Sequence, residues 1–208
     1  MRKKVFLLVL LFIMFTFPNV YAEEKYSFVT GDINTAGSEV CFDEECFYVV
    51  ENKGYYVKLI TKYSLTLDDK PVQSEHAEGL KFSETDYWGE VTVGKPKYVY
   101  DSKSNLYKYV EAYKKNLLDK GVIIKDARLI NQEELLLAGV DIESYTWKES
   151  IGDWFVLPRY WSGVAYDDSN IWTSELEQSH RSNDSYFGIR PIIEVPTGWF
   201  DKEEKIYL

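Results

Sequence analysis

Cysteine and histidine are scarce in this 208-residue chain, two of each, and methionine is equally rare. Two cysteines cannot build a multi-bridge disulfide framework, and no further Cys or suitably placed His completes a zinc site around them. His76 and His180 stand far apart, and no His-Glu-x-x-His pattern or Gly-x-Ser-x-Gly elbow occurs. The local signatures of zinc peptidases and of serine hydrolases are therefore missing. Cations are outnumbered, 24 Lys+Arg against 34 Asp+Glu, for a formal charge of −10. That balance argues against nucleic acid, whose binding rests on Lys and Arg neutralising phosphates. It argues equally against adhesion to an anionic membrane surface. After Phe17 no second long apolar run appears.

The first such run has its own logic. Arg2, Lys3 and Lys4 precede an apolar stretch from Val5 to Phe17, Pro18 breaks it, and Val20-Tyr21-Ala22 offers small residues at a cleavage site. The stretch is shorter than the roughly 20 residues that span a bilayer as a helix. Residues 1–22 are accordingly read as a signal peptide, in preference to an uncleaved anchor. Residues 23–208 then form one exported domain with no stable membrane span after cleavage, either secreted (extracellular) or in the cell envelope. Aromatics are abundant, with 6 Trp, 17 Tyr and 11 Phe. Tyr is amphipathic and loses little rotamer entropy, so these residues serve either a binding surface or a core with polar rims.

"GSEVCFDEECFYVV" reads as a β-hairpin whose arms bring Cys41 and Cys46 together. In an oxidising compartment the pair forms a disulfide that fixes hairpin register; a redox or metal pair is the rival. "YYVKLITKYSL" (55–65) continues as a third strand, turned off the second at Asn52-Lys53-Gly54. Residues 66–100 show no sustained period and read as a long loop, with Phe82 and Trp88 dropping into a core. In "SNLYKYVEAYKKNLLDKG" (104–121), Leu106, Val110, Tyr113 and Leu117 share a helical face, Ser104 is the expected cap and Gly121 the stop. "VIIKDARLI" is extended. Asn131 and Glu134 then form a capping box for a second helix, which gives Glu133 and Glu134 a structural role in place of a catalytic one. From 145 onward the pattern is aromatic and strand-like.

Taken in order, "EVCFDEECFYVV", "KFSETDYW", "ARLINQEEL", "YWSG…NIW" and "FGIRPIIEV" resemble an uncharacterised domain family of exported bacterial proteins. The strand-to-helix corner "ARLINQEEL" and the Gly-x-Arg-Pro unit leading the last strand are similar to formylglycine-generating-enzyme-like domains, which are variants of the C-type-lectin-like fold. The resemblance implies an α+β, C-type-lectin-like domain with an N-terminal hairpin, two helices and C-terminal antiparallel strands with long loops. Its core would run from about 38 to 196, with a short extension over 197–208. Formylglycine-generating activity is not implied, because that chemistry uses cysteines in the C-terminal half and none follows Cys46.

"YWSGVAYDDSNIW" (160–172) divides by residue type. Trp161 and Trp172 belong in the core, and Ser162-Gly163 permits a bulge or a close backbone approach. Asp167, Asp168, Ser169 and Asn170 suit a turn, while Asp167, Asp168, Asn170 and Glu175 together could hold calcium, the one cofactor the sequence offers. Arg190 at the start of an apolar strand is expected to pair with a buried carboxylate. In the polar stretch 175–187, His180, Arg181, Asn183 and Tyr186 are the candidate ligand contacts. The function that fits is a non-catalytic interaction module for a glycan, a cell-wall polymer or a protein. The rival is a secreted hydrolase of polysaccharide or cell wall, whose carboxylate pair the sequence alone does not single out. An envelope domain without a discrete ligand is the third reading. If the leader reading holds, N-terminal sequencing of the exported protein begins at Glu23; a chain that keeps Arg2 to Lys4 would show a retained anchor.

Overall fold

Alternating apolar and polar residues around the two cysteines make a hairpin whose one face is buried. In the computed structural model, which describes residues 29–42, 45–65, 79–85, 88–144, 146–147, 152–174 and 179–200, this hairpin is β2 (Glu39–Phe42) and β3 (Glu45–Asn52). Cys41 and Cys46 lie directly opposite each other and are bonded, which leaves no thiolate for a metal. The chain reverses at Gly54, whose φ of 86° favours glycine, and returns as β4 (Tyr56–Thr61). β1 (Val29–Thr30) extends the sheet beyond β2. Residues 1–22, where a signal peptide is expected, lie outside the described residues.

The sheet has six strands in the order β1-β2-β3-β4-β12-β6, all antiparallel. The Gly-x-Arg-Pro unit leads into β12 (Ile192–Pro196), which is inserted between β4 and β6 (Asp126–Arg128). A second sheet is built from β5 (Lys97–Tyr98), β9 (Trp161–Ala165), β10 (Asn170–Thr173) and β11 (Ser179–Arg181), in the order β11-β10-β9-β5. A short pair, β7 (Val140–Asp141) with β8 (Thr146–Trp147), completes an α+β architecture. Among the described residues no helix is long and apolar enough to cross a membrane.

Both faces of the large sheet are covered, so neighbouring residues on one strand serve different cores. Val49, Leu59 and Ile193 face one cluster, and Val50, Ile60 and Ile192 the other. The first cluster takes Val110, Tyr113 and Leu117 of α1 (Tyr107–Asp119), together with Trp161 and Phe187. The second takes Leu135 of α2 (Gln132–Leu137), Phe155 of α3 (Asp153–Val156), Tyr160 and Trp172. Trp161 and Trp172 are thus core residues, as their flanking strands require. Trp199, in a 3-10 turn over Thr197–Trp199, is also buried and meets the Phe42 ring edge-on.

The helix ends partly differ from expectation. α1 stops at Gly121 as expected: the Val122 and Gly121 N–H groups donate to Leu117 O and Leu118 O, the two bonds of a Schellman ending. Ser104 does not cap it. The helix begins later, and the Ser104 hydroxyl accepts from Leu106 N–H while donating to Phe82 O, which ties the helix approach to the long loop. α3 was not foreseen, because "DWFV" is apolar and aromatic enough to pass for a strand and makes only one helical turn.

The capping box of α2 is present, but Glu134 does more than cap. Its buried carboxylate accepts a bidentate fork from Arg128 of β6, at 2.8 and 2.6 Å, and the Asn131 N–H at 2.8 Å. Lys58 of β4, itself buried, approaches it at 2.9 Å and Glu51 at 3.3 Å. Burial alone would raise the Glu134 carboxyl. The Arg128 fork, the Asn131 N–H and Lys58 outweigh it and hold the group below its ordinary range. The network joins α2 to strands on either side of β12.

Breaking such a buried pair leaves an uncompensated charge, so Glu134→Ala is expected to lose about 3–5 kcal/mol. The depressed carboxyl contributes stability that is present above the ordinary value of 4.5 and is lost as pH falls below it. Urea midpoints of the wild type should hold steady down to that value and then drop, with a shallower drop in Glu134→Gln; parallel profiles would show that the network has no such role.

Candidate functional site

A buried arginine shapes one wall of the candidate site. Arg190 is 0 % exposed, and instead of the expected carboxylate it meets main-chain oxygens. Its Nε–H donates to Thr61 O at 2.7 Å, Nη1 to Leu157 O at 2.8 Å and Phe155 O at 3.3 Å, and Nη2 to Trp154 O at 2.9 Å. Three of these oxygens belong to the C-terminal turn of α3, where carbonyls lack helical partners and a cation is favoured. The Tyr160 ring lies 5.0 Å from the guanidinium carbon. Among the described residues no carboxylate forms an ion pair with it. Burial pulls its pKa below the usual arginine value. The fork pins α3 and the Leu157–Pro158 segment that follows, whose peptide bond is cis, against the end of β4.

That pinned segment forms one side of an open cleft of about 820 Å³. Tyr48 of β3, Tyr63 just past β4, Trp154 of α3 and Tyr186 bring aromatic rings to it from four separate segments. Tyr48 and Trp154 lie 6.0 Å apart, centroid to centroid, in a tilted contact. The Trp154 ring lies so close over Gly37 that a Cβ there would come within 2.7 Å of Nε1. Lys62 Nζ stands 5.9 and 5.6 Å from the Tyr48 and Tyr63 ring centroids and pairs with Glu39 at 2.7 Å. Polar groups at the rim are Lys62, Asp153, Arg159 and His180, and the His180 ring packs 4.6 Å from that of Phe187. Tyr186 is 61 % exposed, with Lys81 over its ring at 5.7 Å.

Two of the four ligand contacts expected from sequence, His180 and Tyr186, line this cleft. Asn183 is half-buried and is not part of the lining, and the Arg181 side chain lies outside the described residues. The larger share of the cleft, from Tyr48, Tyr63, Trp154 and Arg159, carries no local motif. The one available signal was "DWFVLPR", where an aromatic pair runs into Leu-Pro-Arg.

Asp167, Asp168 and Asn170 stand at the turn between β9 and β10, and Glu175 lies outside the described residues. Asp167 Oδ1 accepts from the backbone N–H of Ser169 and of Asn170, both at 2.8 Å, while Asn170 Nδ2 donates to both carboxylate oxygens. Those donors compete with any cation for the same oxygens. Gly163 in β9 permits a close approach: a Cβ there would lie 2.3 Å from the Tyr98 ring.

No protein-family model, no curated protein and no solved structure matches this chain. The arrangement of the cleft itself therefore has to indicate its chemistry. Its described lining holds a single carboxylate, Asp153, where glycoside hydrolysis in its usual form needs two. Ser64 lines the cleft, and among the described residues its Oγ has no hydrogen-bond partner. What the cleft offers is flat aromatic surface with polar groups at its edge.

Asp167→Ala should lower stability by about 1–2 kcal/mol through loss of the turn's hydrogen bonds, by the same amount with calcium as with a chelator. A melting midpoint that rises with calcium in the wild type and not in Asp167→Ala would instead make the turn a metal site.

Proposed function

We propose that this chain is an exported, non-catalytic interaction module of C-type-lectin-like architecture, and that its aromatic cleft holds a saccharide of the cell envelope. Export is supported by the basic, apolar and small-residue pattern of residues 1–22. The lectin-like architecture is supported by the order of the sequence motifs, with the "ARLINQEEL" corner before α2 and Gly-x-Arg-Pro before the central strand.

The observation that carries the ligand class is the convergence of Tyr48, Tyr63, Trp154 and Tyr186 around one polar-rimmed cleft. A sugar ring has apolar C–H faces that lie against aromatic surface, and hydroxyls at its edge that seek polar groups. The cleft presents both, and its volume falls in the range of roughly 300–1,000 Å³ typical of small-ligand sites. The wall needs no rearrangement to receive a ligand, because Arg190 and the Trp154 contacts already hold it, and preformed surface lowers the entropy lost on binding.

Binding of fluorescently tagged protein to an array of bacterial-envelope and plant glycans tests this reading. Saturable retention on a defined saccharide is expected. Tyr186→Ala should weaken it at least tenfold, about 1.4 kcal/mol. Because Tyr186 is largely exposed, the melting midpoint should move little. Absence of any retained glycan, or equal retention by Tyr186→Ala, would remove the saccharide reading and turn attention to a protein ligand.

A further inference from the structure

We infer that the protein has a second saccharide subsite, in a groove lined by Trp88, Tyr98 and Tyr100, and that one uncharged polysaccharide chain reaches from the cleft to this groove. The inference rests on the saccharide reading of the cleft and extends it to a ligand of defined length and charge.

The groove measures about 690 Å³ and repeats the chemistry of the cleft. Tyr98 and Tyr100 lie 6.3 Å apart, and Tyr98 remains 38 % exposed. The Tyr98 ring is held in place from two directions: its hydroxyl donates to Leu129 O at 3.1 Å, and the missing side chain of Gly163 makes room for its edge. Beneath the surface two polar atoms, Trp88 Nε1 and Tyr100 Oη, are covered and have no hydrogen-bond partner among the described residues. Buried donors without partners call for an oxygen from outside the chain, either ordered water or a ligand hydroxyl.

The two sites are joined by one short strap. Gly79 lines the cleft, and Ser83 to Thr85 line the groove. Between them the chain pairs with 182–187: Leu80 and Phe187 exchange backbone hydrogen bonds at 2.9 and 3.2 Å, and Ser83 N–H donates to Ser182 O at 3.0 Å. The Ser182 hydroxyl donates to Thr85 O at 2.8 Å. Even fully extended, the strap spans no more than about 22 Å. A chain of several sugar units covers that distance.

Charge selects the kind of polymer. The described lining of the groove holds Glu84 and Asp101 against Lys97 and Lys103 in number; at the cleft Lys62 is paired with Glu39, and the positive Arg159 is offset by the negative Asp153. Among the described residues neither site presents an excess of one sign, and the chain as a whole carries −10. An anionic polymer would meet general repulsion with no local compensation. A neutral one meets neither.

Linking two weak sites through one ligand raises affinity by effective concentration, without any new contact. Calorimetric titrations with neutral disaccharides and octasaccharides of the chito-, cello- and manno- series provide the test. For the series that binds, the octasaccharide should bind at least tenfold tighter than the disaccharide. Tyr98→Ala should bring the octasaccharide down to the disaccharide's affinity. Tyr100→Phe, which removes a hydroxyl without a partner, should weaken octasaccharide binding several-fold with no fall in melting midpoint. Raising salt should leave these affinities unchanged. Disaccharide binding with no gain in length, or a length gain that survives Tyr98→Ala, overturns the second subsite and leaves the cleft reading standing. A steep loss with salt overturns the uncharged polymer. If no saccharide of any length binds, the cleft reading and this extension fall together.

Discussion

Arg190 carries a full positive charge into the interior, where four main-chain oxygens and a tyrosine ring hold it. A carboxylate partner would have fixed one side chain to another. Carbonyl partners fix the backbone itself, at Thr61 on one side and at Trp154, Phe155 and Leu157 on the other. The rigid planar fork suits this task because its N–H groups diverge in fixed directions, and a lysine could not reach the same set. The position of α3, and with it Trp154 and the wall of the cleft, depends on this one residue. Pro191 follows directly and begins the approach to the central strand, so the same short unit serves the core and the site.

Around that point the architecture follows from a sheet buried on both faces. Each central strand must supply apolar side chains in both directions, which is why "YVKLIT" and "PIIEV" read as near-continuous apolar runs. The exceptions, Lys58 and Glu194, are answered by charge. Lys58 meets Glu134 and Glu51, while Glu194 meets Lys125 at 3.1 Å and Arg128 at 3.5 Å. At the far end of α1, buried Glu45 accepts from the Tyr113 hydroxyl and from Lys120, which binds the helix to the disulfide hairpin. These ion pairs specify which strand lies beside which helix and add less to net stability than the apolar burial around them.

Local features were legible in the sequence, and convergent ones were not. The hairpin, its Cys41–Cys46 bond, the face of α1, the Gly121 ending and the Asn131–Glu134 box each rest on residues close together in the chain, where spacing determines geometry. Trp161 and Trp172 could be assigned to the core because strands flank both. Arg190 was recognisable as special, yet its partners were not, since a carbonyl oxygen looks the same at every position. The cleft was hardest to see. His180 and Tyr186 stood out in a polar stretch, but Tyr48, Tyr63 and Trp154 look like ordinary strand or core aromatics until the chain brings them together. Ser104 shows the same limit in miniature, because its true acceptor, Phe82 O, lies on another segment.

The placement of β12 between β4 and β6 has a consequence for how the molecule is made. The hairpin strands and β4 emerge from the ribosome well before the strand that covers the β4 edge, so β4 waits with a row of unpaired amide groups and an apolar surface on each side. Pairing across so long a stretch of chain is slow, because closing that loop precedes any gain from the contacts it allows. During this interval the nascent chain resembles an unfinished sheet, prone to take a strand from a neighbouring molecule. Keeping the chain unfolded until Ile192 to Pro196 are available removes that hazard.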